Sequence, residues 1–328
     1  MRVRRRVLID QARGQFFHVT SRVVDRRFIF EDGEKQAFLG MMRQYEAFCG
    51  VQILSYCLMS NHFHLLVHIP RKPDLIPEDE VLRRMKCLYS KDRMAFFEDY
   101  LAELKGESAD RQRKDFFDQF RMRMYDLSHF VRELKLRFSK YYNQRNDRKG
   151  TLWEERFKCS LIEGHSNALM NTAAYIELNS VRAGIVADPA KYRWCSYTEA
   201  VAGGKLARSG IIILATGQNL TMSYSDALKR YKDFFLYKSW SQSGSRKGIG
   251  IDDDEQLTID QGPERKSPSG GISVRVRYFL DGLVLGSREF VEEWYTRNVK
   301  DLNRGRKCIS SQVPQPELKG IHTYRKVE

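Results

Sequence analysis

The chain has 328 residues, with 56 Lys and Arg against 42 Asp and Glu, a net charge of +14 and an isoelectric point near 9.5. That length holds one substantial core with appendages or two domains, and the positive balance predicts a polyanionic partner, nucleic acid ahead of an anionic membrane surface. No apolar run reaches the roughly 18 residues of a spanning helix, residues 1–10 lack a signal peptide's apolar stretch, and cysteines 49, 57, 87, 159, 195 and 308 show no C-x-x-C spacing. A membrane protein, a disulfide framework and a structural zinc site are therefore disfavoured, and the expected location is the cytoplasm or nucleoid, with reduced thiols.

In chain order, residues 15–24 alternate as a strand, and 32–49 carry Phe38, Met41, Met42, Tyr45 and Phe48 at helical spacing. Residues 51–59 and 62–69 read as two strands joined by a tight Ser60-Asn61 turn. After Pro70, Pro73 and Pro77, the charged segments 80–105 and 111–143 favour helix. Gly150 ends that run, 153–163 reads as a strand, and 166–184 as a helix closed by Gly184. This order predicts an α+β fold, a ferredoxin-like antiparallel sheet with packed helices, carried on residues 1–200 with a helical insertion over 71–127. Residues 201–271 read as a connecting segment with a helix at 224–237 and a Ser/Gly-rich acidic linker over 239–271. Residues 272–328 are expected to form a small C-terminal module, with a strand and a helix before residue 298.

The most informative stretch is Cys57-Leu58-Met59-Ser60-Asn61-His62-Phe63-His64. On a strand, His62 and His64 share a face about 7 Å apart, so the pair could grip one metal ion. Two neutral imidazoles need further ligands. If 166–184 is helical, Tyr175 and Asn179 lie one turn apart on one face, about 6 Å from each other, and could present a phenol and an amide oxygen to the same ion. Each residue also has an ordinary reading: an H-x-H pair packs in cores, Tyr175 is one of 16 tyrosines, and Asn179 can cap a helix end. Tyr141 and Tyr142 are rival nucleophiles, but beside Arg137, Lys140 and Arg145 they suit base stacking or packing better. His68 reads as a neighbour rather than a ligand, and His18 as core ahead of a supporting hydrogen bond to a ligand.

His18-Val19-Thr20-Ser21-Arg22, Tyr56 to His64, Gly150-Thr151-Leu152-Trp153-Glu154-Glu155-Arg156-Phe157-Lys158 and Tyr175-Ile176-Glu177-Leu178-Asn179-Ser180-Val181-Arg182-Ala183-Gly184 stand in that order. Over roughly 14–197 the chain thereby resembles the REP-associated tyrosine transposases, HUH single-tyrosine enzymes of the IS200-like superfamily. Glu155 and Ser180 stand where the resemblance leads one to expect Gly and Pro. The resemblance implies the HUH endonuclease fold, His62, His64 and Asn179 on a divalent metal, Mg2+ or Mn2+, and Tyr175 as nucleophile. It implies a sequence-specific single-stranded DNA endonuclease and strand transferase acting on a palindromic hairpin with a flanking guide tetranucleotide. It also implies a REP element as substrate and admits a homodimer.

Transesterification by a tyrosine hydroxyl leaves a 5′-phosphotyrosine and a free 3′ hydroxyl, and conserves phosphodiester energy, so rejoining needs no ATP. No P-loop pattern is present. Such chemistry needs a bound strand, which favours phosphate contact over plain solvation for Arg4, Arg5, Arg6, Arg22, Arg26 and Arg27. Arg156, Lys158 and Arg182 are candidate phosphate clamps, and Trp153 a candidate base-stacking residue against the commoner reading as core. Two rival functions remain: a non-catalytic nucleic-acid-binding protein, and a metal-dependent RNA-processing enzyme on the same fold.

Overall fold

The computed structural model describes residues 14–164, 167–217, 222–243, 282–298, 311–312 and 320–324. β1 (Gln15–Arg22), α1 (Asp32–Cys49), β2 (Gln52–Leu58) and β3 (His62–Ile69) follow in the expected order. α1 closes on Gly50, whose φ of 68° places it in the left-handed region that glycine tolerates, with its N–H bonded to Glu46 O. β4 (Lys158–Ile162) completes the order β2-β3-β1-β4, with every neighbour antiparallel. That is the ferredoxin-like arrangement expected from the sequence.

Between β3 and β4 the two long helices predicted from composition are four: α2 (Glu78–Met85), α3 (Lys91–Glu103), α4 (Ala109–Arg121) and α5 (Leu127–Arg145). Two boundaries are set by caps, since Ser90 Oγ accepts from Arg93 N–H and Asp126 Oδ1 from His129 N–H. Charge composition alone does not locate such breaks. The strand expected over 153–163 shortens to β4; Trp153 makes only an isolated bridge to Val23.

One sheet face carries Phe17, Val19, Phe63, Leu65 and Val67, all fully buried. Phe38 of α1 meets Phe63, and Phe138 of α5 meets Phe38 and Trp153, so these helices cover that face with an aromatic core. On the other face lies α6 (Asn167–Glu177), buried from Ala168 onward, continued by the short α7 (Asn179–Arg182). The region read as a connecting segment is largely helical: α8 (Ser196–Val201), α9 (Lys205–Thr216) and α10 (Tyr224–Ser243). α9 lies so close to β2 that a Cβ on Gly210 would sit 2.5 Å from Leu54 O.

The C-terminal strand expected around residues 274–278 lies outside the described residues, and the parts of 272–328 that are described continue the same sheet. β5 (Val284–Gly286) pairs in parallel with β4, and β7 (His322–Tyr324) and β6 (Ser311–Gln312) follow outward. α11 (Arg288–Asn298) packs on β5 and β7 through Val291, Trp294 and Tyr295. Ser160 Oγ donates to Gly282 O, and the Glu163 carboxylate accepts from Ser287 N–H at 2.7 Å and Ser287 Oγ at 2.9 Å. These contacts cover the edge of β4, which would otherwise present unpaired backbone groups. Of the linker predicted over 239–271, residues 239–243 belong to α10 and 244–271 lie outside the described residues. Among the described residues no helix is long and apolar enough to cross a membrane.

Candidate metal and nucleophile site

Sheet register builds the site. Arg22 pairs with His62, Thr20 pairs with His64 on one side and Lys158 on the other, and His18 pairs with Ser160. Directly paired residues share a face, so His18, Thr20, Arg22, His62, His64 and Lys158 all lie on the face opposite the aromatic core. The two site histidines come together with ring centroids 5.1 Å apart and planes at 81°.

The tautomer of His62 follows from its partner. Asn61 donates Nδ2 to Arg26 O at 2.9 Å, which fixes the amide orientation and leaves Oδ1 as acceptor. His62 Nδ1 lies 2.7 Å from that Oδ1, so it carries the ring proton and Nε2 the lone pair. His64 Nδ1 is 3.0 Å from His18 Nε2, and a proton on His64 Nδ1 in this contact leaves the lone pair on Nε2. Both Nε2 atoms are buried with no hydrogen-bond partner among the described residues. Burial pushes the His62 pKa down to about 3, with Arg22 and Arg182 adding to the effect. Burial first, then His62, His18, Arg182 and Arg22, hold His64 well below its ordinary value. Neutral rings with one nitrogen tethered and the other left over are the form in which histidines bind metals. Two such nitrogens fit a divalent ion completed by oxygen donors. Among the described residues no group of three or more His, Cys, Asp or Glu is placed to hold a metal, so completion would fall to the phenol, an amide, water or substrate.

Tyr175 is brought to this pair by α6. Its ring stands edge-on to His64 at 5.7 Å between centroids and to His18 at 5.8 Å. Arg182 lies over the same ring at 4.0 Å, and its Nη2 donates to Tyr175 O at 3.0 Å and to Asn179 Oδ1 at 2.6 Å. Asn179 Nδ2 donates in turn to Tyr175 O at 3.3 Å and Ile176 O at 3.2 Å. The helix expected over 166–184 therefore breaks at Leu178, and side chains satisfy the carbonyls at the end of α6. Asn179 sits beside Tyr175 as expected, but in this arrangement it also fills the helix-end role, with its oxygen engaged by Arg182.

The turn bearing Tyr175 is anchored from behind. Glu177 is buried and accepts from Ser196 Oγ at 2.5 Å, Ser55 Oγ at 3.1 Å and Tyr197 N–H at 3.2 Å, which ties α6 to β2 and α8. Burial raises its pKa to about 7, against the lowering effect of those hydrogen bonds.

Of the expected DNA-contacting residues, Arg22, Lys158 and Arg182 converge on the histidine face. Arg27 and Arg156 are exposed and Arg26 half-buried. Among the described residues Lys158 contacts Glu155 at 3.7 Å in solvent, a pair worth little in itself. Trp153 departs from the base-stacking expectation. It is 8% exposed, its Nε1 donates to Lys135 O and Ser139 Oγ, and it packs against Phe30, Phe63 and Phe138. A ring enclosed in this way offers no face to a base. Arg4, Arg5 and Arg6 lie outside the described residues. Tyr141 and Tyr142 pack beside Phe138 on the aromatic side, away from the histidines. His68 is a neighbour, as expected, bonded to Gln52 and stacked on Phe16. Sequence reasoning passed over Asn61 and Glu177 and placed His18 in the core. The adjacency of Asn61 to His62 was the available local signal for the first.

Residues 14–108 match the family described as "Transposase IS200 like". No curated protein matches the sequence. One similar solved structure, a REP-associated tyrosine transposase bound to a REP hairpin, is 16% identical; the alignment covers 62% of this chain and 87% of that one, with a TM-score of 0.39. The matched family segment contains both histidines, Asn61 and the three strands that hold them. The similarity to the IS200-like transposases is thus carried by residues 14–108, less than half of the 328-residue chain.

Proposed function

We propose that the protein is a metal-dependent, sequence-specific single-stranded DNA endonuclease and strand transferase of the REP-associated tyrosine transposase type, acting on a palindromic hairpin through a 5′-phosphotyrosine. The observation that carries this reading is the edge-on contact of Tyr175 with His64, whose buried Nε2 has no hydrogen-bond partner among the described residues. His62, His64 and Asn179 would hold Mg2+ or Mn2+, which when bound polarises the scissile phosphate.

The chain's own residues do the rest. Arg22 and Lys158, on the histidine face, bind the strand's phosphates. Arg182 lies over the Tyr175 ring, where its charge offsets the phenolate as the hydroxyl loses its proton. Asn179 becomes available as a ligand once Arg182 releases its oxygen in favour of a phosphate. The Tyr175 oxygen attacks the phosphorus, the 3′ oxygen leaves and takes up a proton, and a later 3′ hydroxyl reverses the step. Glu177 holds the turn carrying Tyr175 during the exchange.

Tyr175→Phe should abolish the covalent adduct on labelled single-stranded hairpin DNA while leaving affinity within a few fold, because only the nucleophilic oxygen is lost. An undiminished adduct on a denaturing gel would overturn the assignment.

A further inference from the structure

The loop from β1 to α1 begins beside the histidine site, since Arg22 ends β1 and His62 opens β3. Asp25 and Arg26 have φ of 56° and 53°, both in the left-handed region and neither a glycine. Such a conformation persists only where the surroundings hold it, and it recurs at binding sites. Here the β2–β3 turn holds it. Val23 N–H donates to Asn61 O, Phe30 N–H to Ser60 O, and Asn61 Nδ2 to Arg26 O, each at 2.9 Å. The loop buries Ile29 and Phe30 but leaves Phe28 57% exposed. Across 22–28 the chain carries Arg22, Arg26 and Arg27 against Asp25 alone.

We propose that Phe28 is a stacking platform for an unpaired nucleobase of single-stranded DNA, held at the margin of the histidine site. This rests on the DNA-cleaving reading above for the identity of the strand. An exposed aromatic ring on a loop whose backbone is held by these hydrogen bonds, with Arg26 and Arg27 next to it in sequence, suits a base whose own phosphates are negative, because the ring can meet the base's flat face and the arginines its backbone. Fully paired duplex covers the faces of its bases, so the ring favours an unstacked strand. Asn61 links platform and site, bonding the Arg26 carbonyl with one end of its amide and His62 with the other. A base seated on Phe28 therefore lies next to the loop that orients the ligating imidazole.

The test compares a fluorescein-labelled oligothymidylate with an abasic oligomer of equal length, by anisotropy, on the full chain carrying Tyr175→Phe to prevent cleavage. Phe28→Ala should weaken oligothymidylate binding on the order of 10-fold and leave the abasic oligomer unchanged, whereas Phe28→Trp should retain binding and Phe28→Leu should not. Arg27→Ala should weaken both oligomers alike. Equal loss on both oligomers, or no loss on either, overturns the proposal; so does a Phe28→Ala protein that binds normally but loses self-association in sedimentation, which assigns the ring to a second copy of the chain. Adduct formation by the chain with native Tyr175 is read separately. Base-dependent affinity without any adduct rejects the nuclease reading and keeps the platform, and an adduct with affinity indifferent to Phe28 does the reverse.

Discussion

The two faces of the sheet are made from the same strands and differ in almost everything else. Phe63 lies between His62 and His64, yet it points into an aromatic core with Phe38 and Trp153 while its neighbours face a polar site. On the core face the Trp153 indole N–H is satisfied. The site face keeps two buried ring nitrogens without hydrogen-bond partners among the described residues and gathers Arg22, Lys158 and Arg182 around them. A period of two residues is thus enough to separate what stabilises the fold from what equips it to act. Stability should be concentrated on one face and chemistry on the other.

The sharpest way to break that division is across three consecutive residues. His62→Ala and His64→Ala should each remove DNA cleavage, by 100-fold or more on the order of a lost metal ligand, with unfolding midpoints close to the parent. Phe63→Ala should instead cost about 3–5 kcal/mol of stability through the cavity it leaves, while metal affinity of the folded fraction persists. Denaturant unfolding together with metal titration reads both, and a histidine variant that cleaved at the parent rate would place the chemistry elsewhere.

A smaller effect is expected at Asn61. Asn61→Ala frees His62 to take the other tautomer and should weaken metal binding by about 10–100-fold, the usual range for a residue that orients a ligand. Asn61→Asp, which can still accept from His62 Nδ1, should recover much of it. Isothermal titration with Mn2+ checks this, and unaltered affinity in the alanine variant would remove Asn61 from the site.

A further effect is expected in the pH dependence of stability of chelator-treated protein. His62, His64 and His68 have folded pKa values below the ordinary 6.5, so the unfolded chain binds more protons and stability is lost as pH falls below 6.5. Glu177 acts oppositely: its folded value of about 7 lies above the ordinary 4.5, so its contribution is full below 4.5 and fades as pH rises through 7. Three imidazoles outweigh one carboxyl, so stability should decline from pH 6.5 toward 4.5. Glu177→Gln should steepen that decline by removing the opposing proton, which urea midpoints across this range measure; an unchanged slope would mean that Glu177 is ionised in the folded protein.

Local patterning carried much of this legibly. The bounds 32–49 for α1, the hairpin around Ser60-Asn61, the shared face of His62 and His64, and the proximity of Tyr175 and Asn179 all follow from periods of 2 and 3.6 within one segment. Long-range register is another matter. His18 could join His64 only because β1 and β3 pair with Thr20 opposite His64, a choice no stretch of 15–24 contains. Trp153 is core because α5 folds back over it, and the C-terminal strand joins β4 because that edge needs hydrogen-bond partners. Arg182 reads as a candidate phosphate clamp in the sequence, and in the fold it also lies on Tyr175 and holds the oxygen of Asn179. The sequence by itself determined which residues could face the same way along one element. Only the tertiary structure decided which faces meet, because strand pairing and helix docking depend on groups that are far apart in the chain and close in space.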